Sequence, residues 1–128
     1  MSWLDQHVDE ECCSLTTTGR RTGRRHEIEI WFAVAADVLY MVAGNPRPAD
    51  WYLNALANSA VTLRLGGDTR TARARPVSDA DERRLVGDLL DAKHPTYSDA
   101  SLDLTHHKWA YEVPALAIGD WSPPTSGT

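Results

Sequence analysis

Three stretches of this chain alternate apolar and polar side chains between turn residues, and a two-residue period buries one face of a strand but not of a helix. In HEIEIWFAV, Ile28, Ile30, Phe32 and Val34 share one face, while Glu27, Glu29, Trp31 and Ala33 share the other. Ala36 and Asp37 then connect tightly to VLYMVAG, whose β-branched and aromatic residues suit a strand paired to the first. Val61, Leu63 and Leu65 alternate with Thr62 and Arg64, and Gly66, Gly67 and Asp68 turn the chain into TRTARARPV, a second hairpin. Cys12 to Thr18 reads as a further strand, ended by Gly19 and a basic turn, and VPALAIGDW reads as the last.

Helical spacing is rarer. NPRPADWYLNALAN carries Pro48 in a first-turn position and Trp51, Leu53, Leu56 and Ala57 at helical intervals, with Asn58 as its end. Ser78 followed by Asp81 resembles a capping box, and Leu85, Leu89 and Leu90 give the next helix an apolar stripe that ends near Lys93. Short helices are expected around Trp3, Leu4 and Val8 and between Ser98 and His107. Hairpins with so few intervening helices do not make repeated βαβ units. They favour a mainly β (α+β) fold, a small antiparallel barrel with flanking helices, whose closure removes exposed edges. The length fits one domain over residues 1–121, with 122–128 as a flexible Pro/Ser/Gly tail.

A composition of 42% hydrophobic and 24% charged residues supports a real core, so stability requires neither a disulfide framework nor a metal. The formal net charge of -5 argues against a nucleic-acid partner, which needs a broad basic surface. Adjacent Cys12 and Cys13 point to opposite faces of a strand, and adjacent His106 and His107 have no second ligand at a zinc spacing. No G-x-S-x-G elbow supports a serine hydrolase. The opening MSWLDQHVDEECC has neither a basic start nor a long apolar run, so a cytoplasmic protein without stable membrane insertion is expected.

Against that acidic background, Arg20, Arg21, Arg24 and Arg25 crowd one turn around Thr22 and Gly23. Guanidinium forks match phosphate and carboxylate oxygens, and turn amides add donors, so the segment suits a polyanionic ligand; the alternative is a solvated hairpin tip. Neither a Walker A order nor G-x-G-x-x-G is present, which weakens ATP, GTP and Rossmann-type NAD readings and leaves flavin-like ligands held by a barrel. Five Trp against one Phe supply large flat faces for such ligands.

LTTTGRRTGRR before a strand, then DWYLNALAN and HPTY, in this order between Leu15 and Trp121, resemble the deazaflavin-dependent nitroreductase family. The resemblance implies a split β-barrel, FMN-binding-like, that binds coenzyme F420, a deazaflavin with a phosphate and an oligoglutamate tail. It implies hydride transfer from the reduced coenzyme to a small-molecule electron acceptor such as a quinone, an activated alkene or a nitroaromatic. Arg20, Arg21 and Thr22 match the tail-binding motif, with Arg21 standing where Lys is common. His26 to Trp31 correspond to the family's cofactor-lining strand, with His26, Ile28 and Glu29 as its cofactor positions; for Glu27 and Glu29 the alternative is an exposed carboxylate or a dimer contact.

Val42, Ala43, Gly44 and Asn45 fall where small residues approach the ring, Asn45 replacing a frequent Lys. Asp50, Trp51, Tyr52 and Asn54 match the motif of the cofactor cleft, with Trp51 equally suited to anchor the core. Tyr97 corresponds to a tyrosine near the substrate, where a phenol orients the acceptor or supplies a proton, and His94 is the alternative donor. No metal is implied, and a homodimer is common among similar barrels. Two alternatives stay open: a non-catalytic deazaflavin carrier, and FMN or haem on the same barrel.

Overall fold

Residues 3–43, 50–102 and 104–123 are described by the computed structural model. Among them, seven strands form one antiparallel sheet: β1 (Cys12–Thr18), β2 (Arg25–Trp31), β3 (Ala33–Ala35), β4 (Val38–Val42), β5 (Ala60–Leu65), β6 (Asp68–Pro76) and β7 (Ala115–Gly119). Their order is β2-β1-β5-β6-β7-β4-β3. The two edges, β2 and β3, are separated in the chain by Phe32 alone. A sheet whose opposite edges are covalent neighbours has to curl until they meet, and this gives the expected split barrel.

HEIEIWFAV is therefore not one strand, as its alternation suggested. Trp31 pairs with Cys12 of β1, whereas Ala33 pairs with Tyr40 of β4. Phe32, fully buried, marks the switch of partner. Its carbonyl accepts a hydrogen bond from Lys93 Nζ at 3.0 Å, and the same ammonium lies 3.6 Å from the centre of the Phe32 ring.

Leu15, Met41, Leu63, Leu65, Leu116 and Ile118 fill the interior cluster together with Phe32. On the other face, Tyr40, Val42, Ala115 and Ala117 pack with Val86, Leu90 and Trp109 from the helices. Strands β4 and β7 are covered on both faces, which is why they read as continuous apolar runs while β1 and β5 alternate. The β5–β6 turn places Gly66 and Gly67 at φ +57° and +90°, a pair of left-handed residues that glycine supplies without a Cβ penalty.

Three α-helices accompany the sheet among the described residues: α1 (Asp50–Ala57), α2 (Ala80–Lys93) and α3 (His106–Tyr111). The cap of α2 is Asp79 rather than Ser78: its carboxylate accepts from the Glu82 amide at 2.8 Å. Val86, Gly87 and Leu90 face inward and Leu85 is exposed, because α2 packs on α3 through Gly87, where the Tyr111 ring leaves no room for a Cβ. Arg83 donates to the carbonyls of Ala110 and Val113 at the end of α3, satisfying acceptors that a helix C-terminus leaves open.

The expected N-terminal helix is a short 3-10 turn, Trp3–His7. Between Ser98 and His107 the described residues make the 3-10 turn Ala100–Leu102 and a β-bridge between Asp99 and Leu104 before Thr105 caps α3. The Ser122 amide donates to Thr71 O at 2.9 Å, and the Thr71 amide donates to Ser122 Oγ at 3.0 Å. Pro48 and residues 124–128 of the expected tail lie outside the described residues. Among the described residues no helix is long and apolar enough to cross a membrane.

Candidate functional site

Gly19 to Arg24 join β1 to β2 and form the arginine turn. The Gly19 amide donates to Arg24 O at 2.7 Å, the Gly23 amide to Gly19 O at 2.9 Å, and the Arg24 amide to Thr22 Oγ1 at 3.2 Å. Gly23 sits at φ +73°, where a side chain is disfavoured. Helix α1 braces this turn: Asn54 Oδ1 accepts from the Arg20 amide at 3.1 Å and from Arg20 Nη1 at 2.8 Å, while Arg20 Nη2 donates to Asp50 Oδ1 at 3.2 Å. Arg25 is directed to Thr62 Oγ1 at 3.0 Å. Arg21 and Arg24 are exposed, and their guanidinium groups have no hydrogen-bond or ion-pair partner among the described residues.

A cavity of about 600 Å³ lies between the turn, the start of β2 and α1. Arg20, Arg21, Thr22, His26 and Ile28 line it from the strand side, and Asp50, Trp51 and Asn54 from the helix. Gly19, Arg25 and Glu27 complete the wall. A second cavity of about 430 Å³ follows along β2, lined by Glu29, Ile30 and Trp31, with Cys12, Val42, Tyr97 and Trp109. Trp51 borders both cavities, so the cationic cavity and the aromatic cavity adjoin at this residue.

The aromatic end is held by ring contacts. Tyr97 meets Trp31 and Trp109 at centroid distances of 4.8 and 4.7 Å, and His94 stacks on Trp31 at 4.3 Å with 17° between the planes. His106 Nδ1 donates to the Tyr97 carbonyl at 2.9 Å, and His106 Nε2 lies 2.8 Å from Asp91 Oδ1. Burial, with the nearby Asp99 charge, pushes the Tyr97 phenol up, so it is protonated at neutral pH. Burial and the charges of Glu29 and Glu11 push the Cys12 thiol up as well. His94 is displaced downward by burial and by Lys93, and its Nε2 has no partner among the described residues.

Sequence reasoning assigned most of this lining. Two of its residues lie elsewhere: Tyr52 is buried in the interior cluster, and so is Ala43. Gly44 and Asn45 lie outside the described residues. Ile30 and Trp31 lie on the strand that the resemblance marked as cofactor-lining, while Cys12 and Trp109 were missed as cleft residues. Cys12 was visible as a β1 position, but only the curl of the sheet brings it opposite Tyr97, and nothing in the local pattern around Trp109 signals that neighbourhood.

Residues 6–105 match the family model described as F420H(2)-dependent quinone reductase. The chain belongs to that family. Membership makes it an oxidoreductase whose cofactor is coenzyme F420. No curated protein matches the sequence. Among solved structures, it is similar to an F420-H2 dependent reductase (FDR-A), at 23% identity over 85% of this chain and 94% of that one, with a TM-score of 0.68. A structure described as a domain-swapped dimer is 23% identical, covering 87% of this chain and 81% of that one, at a TM-score of 0.67. General Stress Protein 26 from Bacillus anthracis is 15% identical over 92% and 85% of the two chains, at 0.61. At these identities the likenesses establish the split-barrel fold.

Proposed function

We propose that the cleft along β2 holds reduced coenzyme F420, with its anionic tail at the arginine turn and its ring at the Trp31, Tyr97 and Trp109 end, and that the enzyme reduces a small acceptor such as a quinone, an activated alkene or a nitroaromatic. The observation that carries this reading is that the two cavities lie side by side with Trp51 as a shared wall. A ligand that is polyanionic at one end and flat at the other needs such a pair. The donor chemistry fits: Arg21 offers a guanidinium fork with no partner among the described residues beside turn amides, and the far end offers flat apolar walls.

When bound, the coenzyme supplies the hydride. The residues of this chain bind, orient and exclude water. Arg21 and the turn hold oxygen anions; Trp51 separates the polar end from the aromatic one; Trp31, fixed by His94, Tyr97 and Trp109, forms a rigid wall. Tyr97 Oη carries its proton at neutral pH and is the donor toward an acceptor oxygen. Cys12 stays a thiol beside it and does not compete as a nucleophile.

The reading treats residues 1–121 as one domain. It includes a homodimer, supported by the neighbour solved as a domain-swapped dimer and by β2, an edge strand whose one strand partner among the described residues is β1. It also includes a cytoplasmic setting, supported by the free thiols of Cys12 and Cys13. The test mixes the purified protein with reduced coenzyme F420 and a panel of quinones, activated alkenes and nitroaromatics, and follows the return of the oxidised coenzyme's absorbance. Oxidation with at least one acceptor is expected. Binding without oxidation makes the protein a carrier, and no binding removes the reading.

A further inference from the structure

We infer that Asn54 is a positioning residue whose buried side-chain carbonyl fixes Arg20 and thereby presents the β1–β2 turn as a preformed cradle for the coenzyme's anionic tail. This rests on the tail placement proposed above. Both groups that meet the Asn54 terminus, the Arg20 amide and its Nη1, are donors, so the atom they meet is the carbonyl oxygen. Asn54 is 5% exposed, on the same face of α1 as Asp50 one turn earlier.

The two α1 contacts are unequal. The Asp50 side chain is 88% exposed, so its ion pair with Arg20 is screened by water. The Asn54 oxygen is withdrawn from solvent and takes a main-chain and a charged side-chain donor together, which ties backbone and guanidinium in one place. Arg20 thus spends both terminal nitrogens on α1, while its neighbour Arg21 keeps its fork for a ligand. The turn from Arg20 to Arg24 is exposed, and without the Asn54 contact binding would have to order it.

The experiment titrates coenzyme F420, and a deazaflavin ring fragment lacking the phosphate and glutamates, onto the wild-type protein and the variants Asn54→Leu and Asn54→Asp. Removing the acceptor in Asn54→Leu is expected to weaken the coenzyme about tenfold and the ring fragment less than about twofold. Asn54→Asp keeps an acceptor for Arg20 and is expected to stay within about threefold of wild type for both ligands. Thermal melting verifies folding, and should Asn54→Leu not fold, Asn54→Ala removes the acceptor without adding bulk and is read by the same criteria. Unchanged coenzyme affinity, or equal losses for coenzyme and fragment, would overturn the inference while leaving the proposed function standing. A wild-type protein that binds the fragment and the coenzyme equally well would instead remove the tail placement, and the inference with it.

Discussion

Arg20 and Arg21 are neighbours in the chain and identical in chemistry, yet one is bound to α1 and the other has no described partner. Sequence spacing shows the charge density of such a turn and not the division of labour within it, because Asn54 lies 34 residues away. Tyr97 is the reverse case: HPTY singled it out, and the fold brings its ring between Trp31 and Trp109 in the second cavity. Its phenol is held protonated, so if it donates to the acceptor, Tyr97→Phe should leave coenzyme binding within about twofold and lower turnover by roughly a hundredfold. Titration and steady-state rates on the same preparation separate the two effects. Equal turnover would leave the ring as a wall only.

At the scale of elements, periodicity located the strands well because most have one buried face, and it failed where the third dimension intervenes. Nothing in HEIEIWFAV marks Phe32 as the residue where pairing passes from β1 to β4, since alternation continues through it. The inward face of α2 was read in part for a related reason: Leu89 and Leu90 pack inward and Leu85 does not, while Gly87 is an apolar contact only because Tyr111 lies over it, and a glycine carries no hydropathic signal. The break at Phe32 leaves a carbonyl outside the ladder, and Lys93, at the end of α2, supplies its donor. That ammonium is drawn downward in pKa by burial. Lys93→Met keeps the aliphatic stem and removes the donor, and should cost about 1–3 kcal/mol of stability in chemical denaturation. An unchanged midpoint would mean that water reaches the Phe32 carbonyl instead.

For the whole molecule, four titrating groups tie separate parts of the barrel together and give its stability a defined pH profile. The Arg75 guanidinium, 2.8 and 2.7 Å from the two carboxylate oxygens of Glu82, and then the Tyr40 hydroxyl at 2.7 Å, hold Glu82 down to about 2 from an ordinary 4.5, joining β6, β4 and α2. A depressed acid stabilises fully above its ordinary value, so this contribution is lost as pH falls from 4.5 toward 2. His94, lowered by burial, also loses stability as pH falls, starting from 6.5. His7 has the opposite sign: hydrogen bonds to Asp68 and Glu10 raise it, so its link between the N-terminal turn and the β5–β6 turn is complete below 6.5 and fades as pH rises through the raised value. Tyr40, pushed up to about 12 by burial and by Glu82, adds an alkaline loss between 10 and 12. These signs place the loss of stability at the two ends of the pH range, with an acid limb set by Glu82 and an alkaline one by Tyr40. In Glu82→Gln the single amide oxygen can accept from Tyr40 and one Arg75 nitrogen, the bidentate pair is lost and the side chain no longer titrates, so the variant should be about 1–2 kcal/mol less stable than wild type near neutrality, with the gap closing as pH falls toward 2. Denaturant titrations of both proteins across the acid range measure this directly, and parallel acid limbs would assign the loss to other carboxylates.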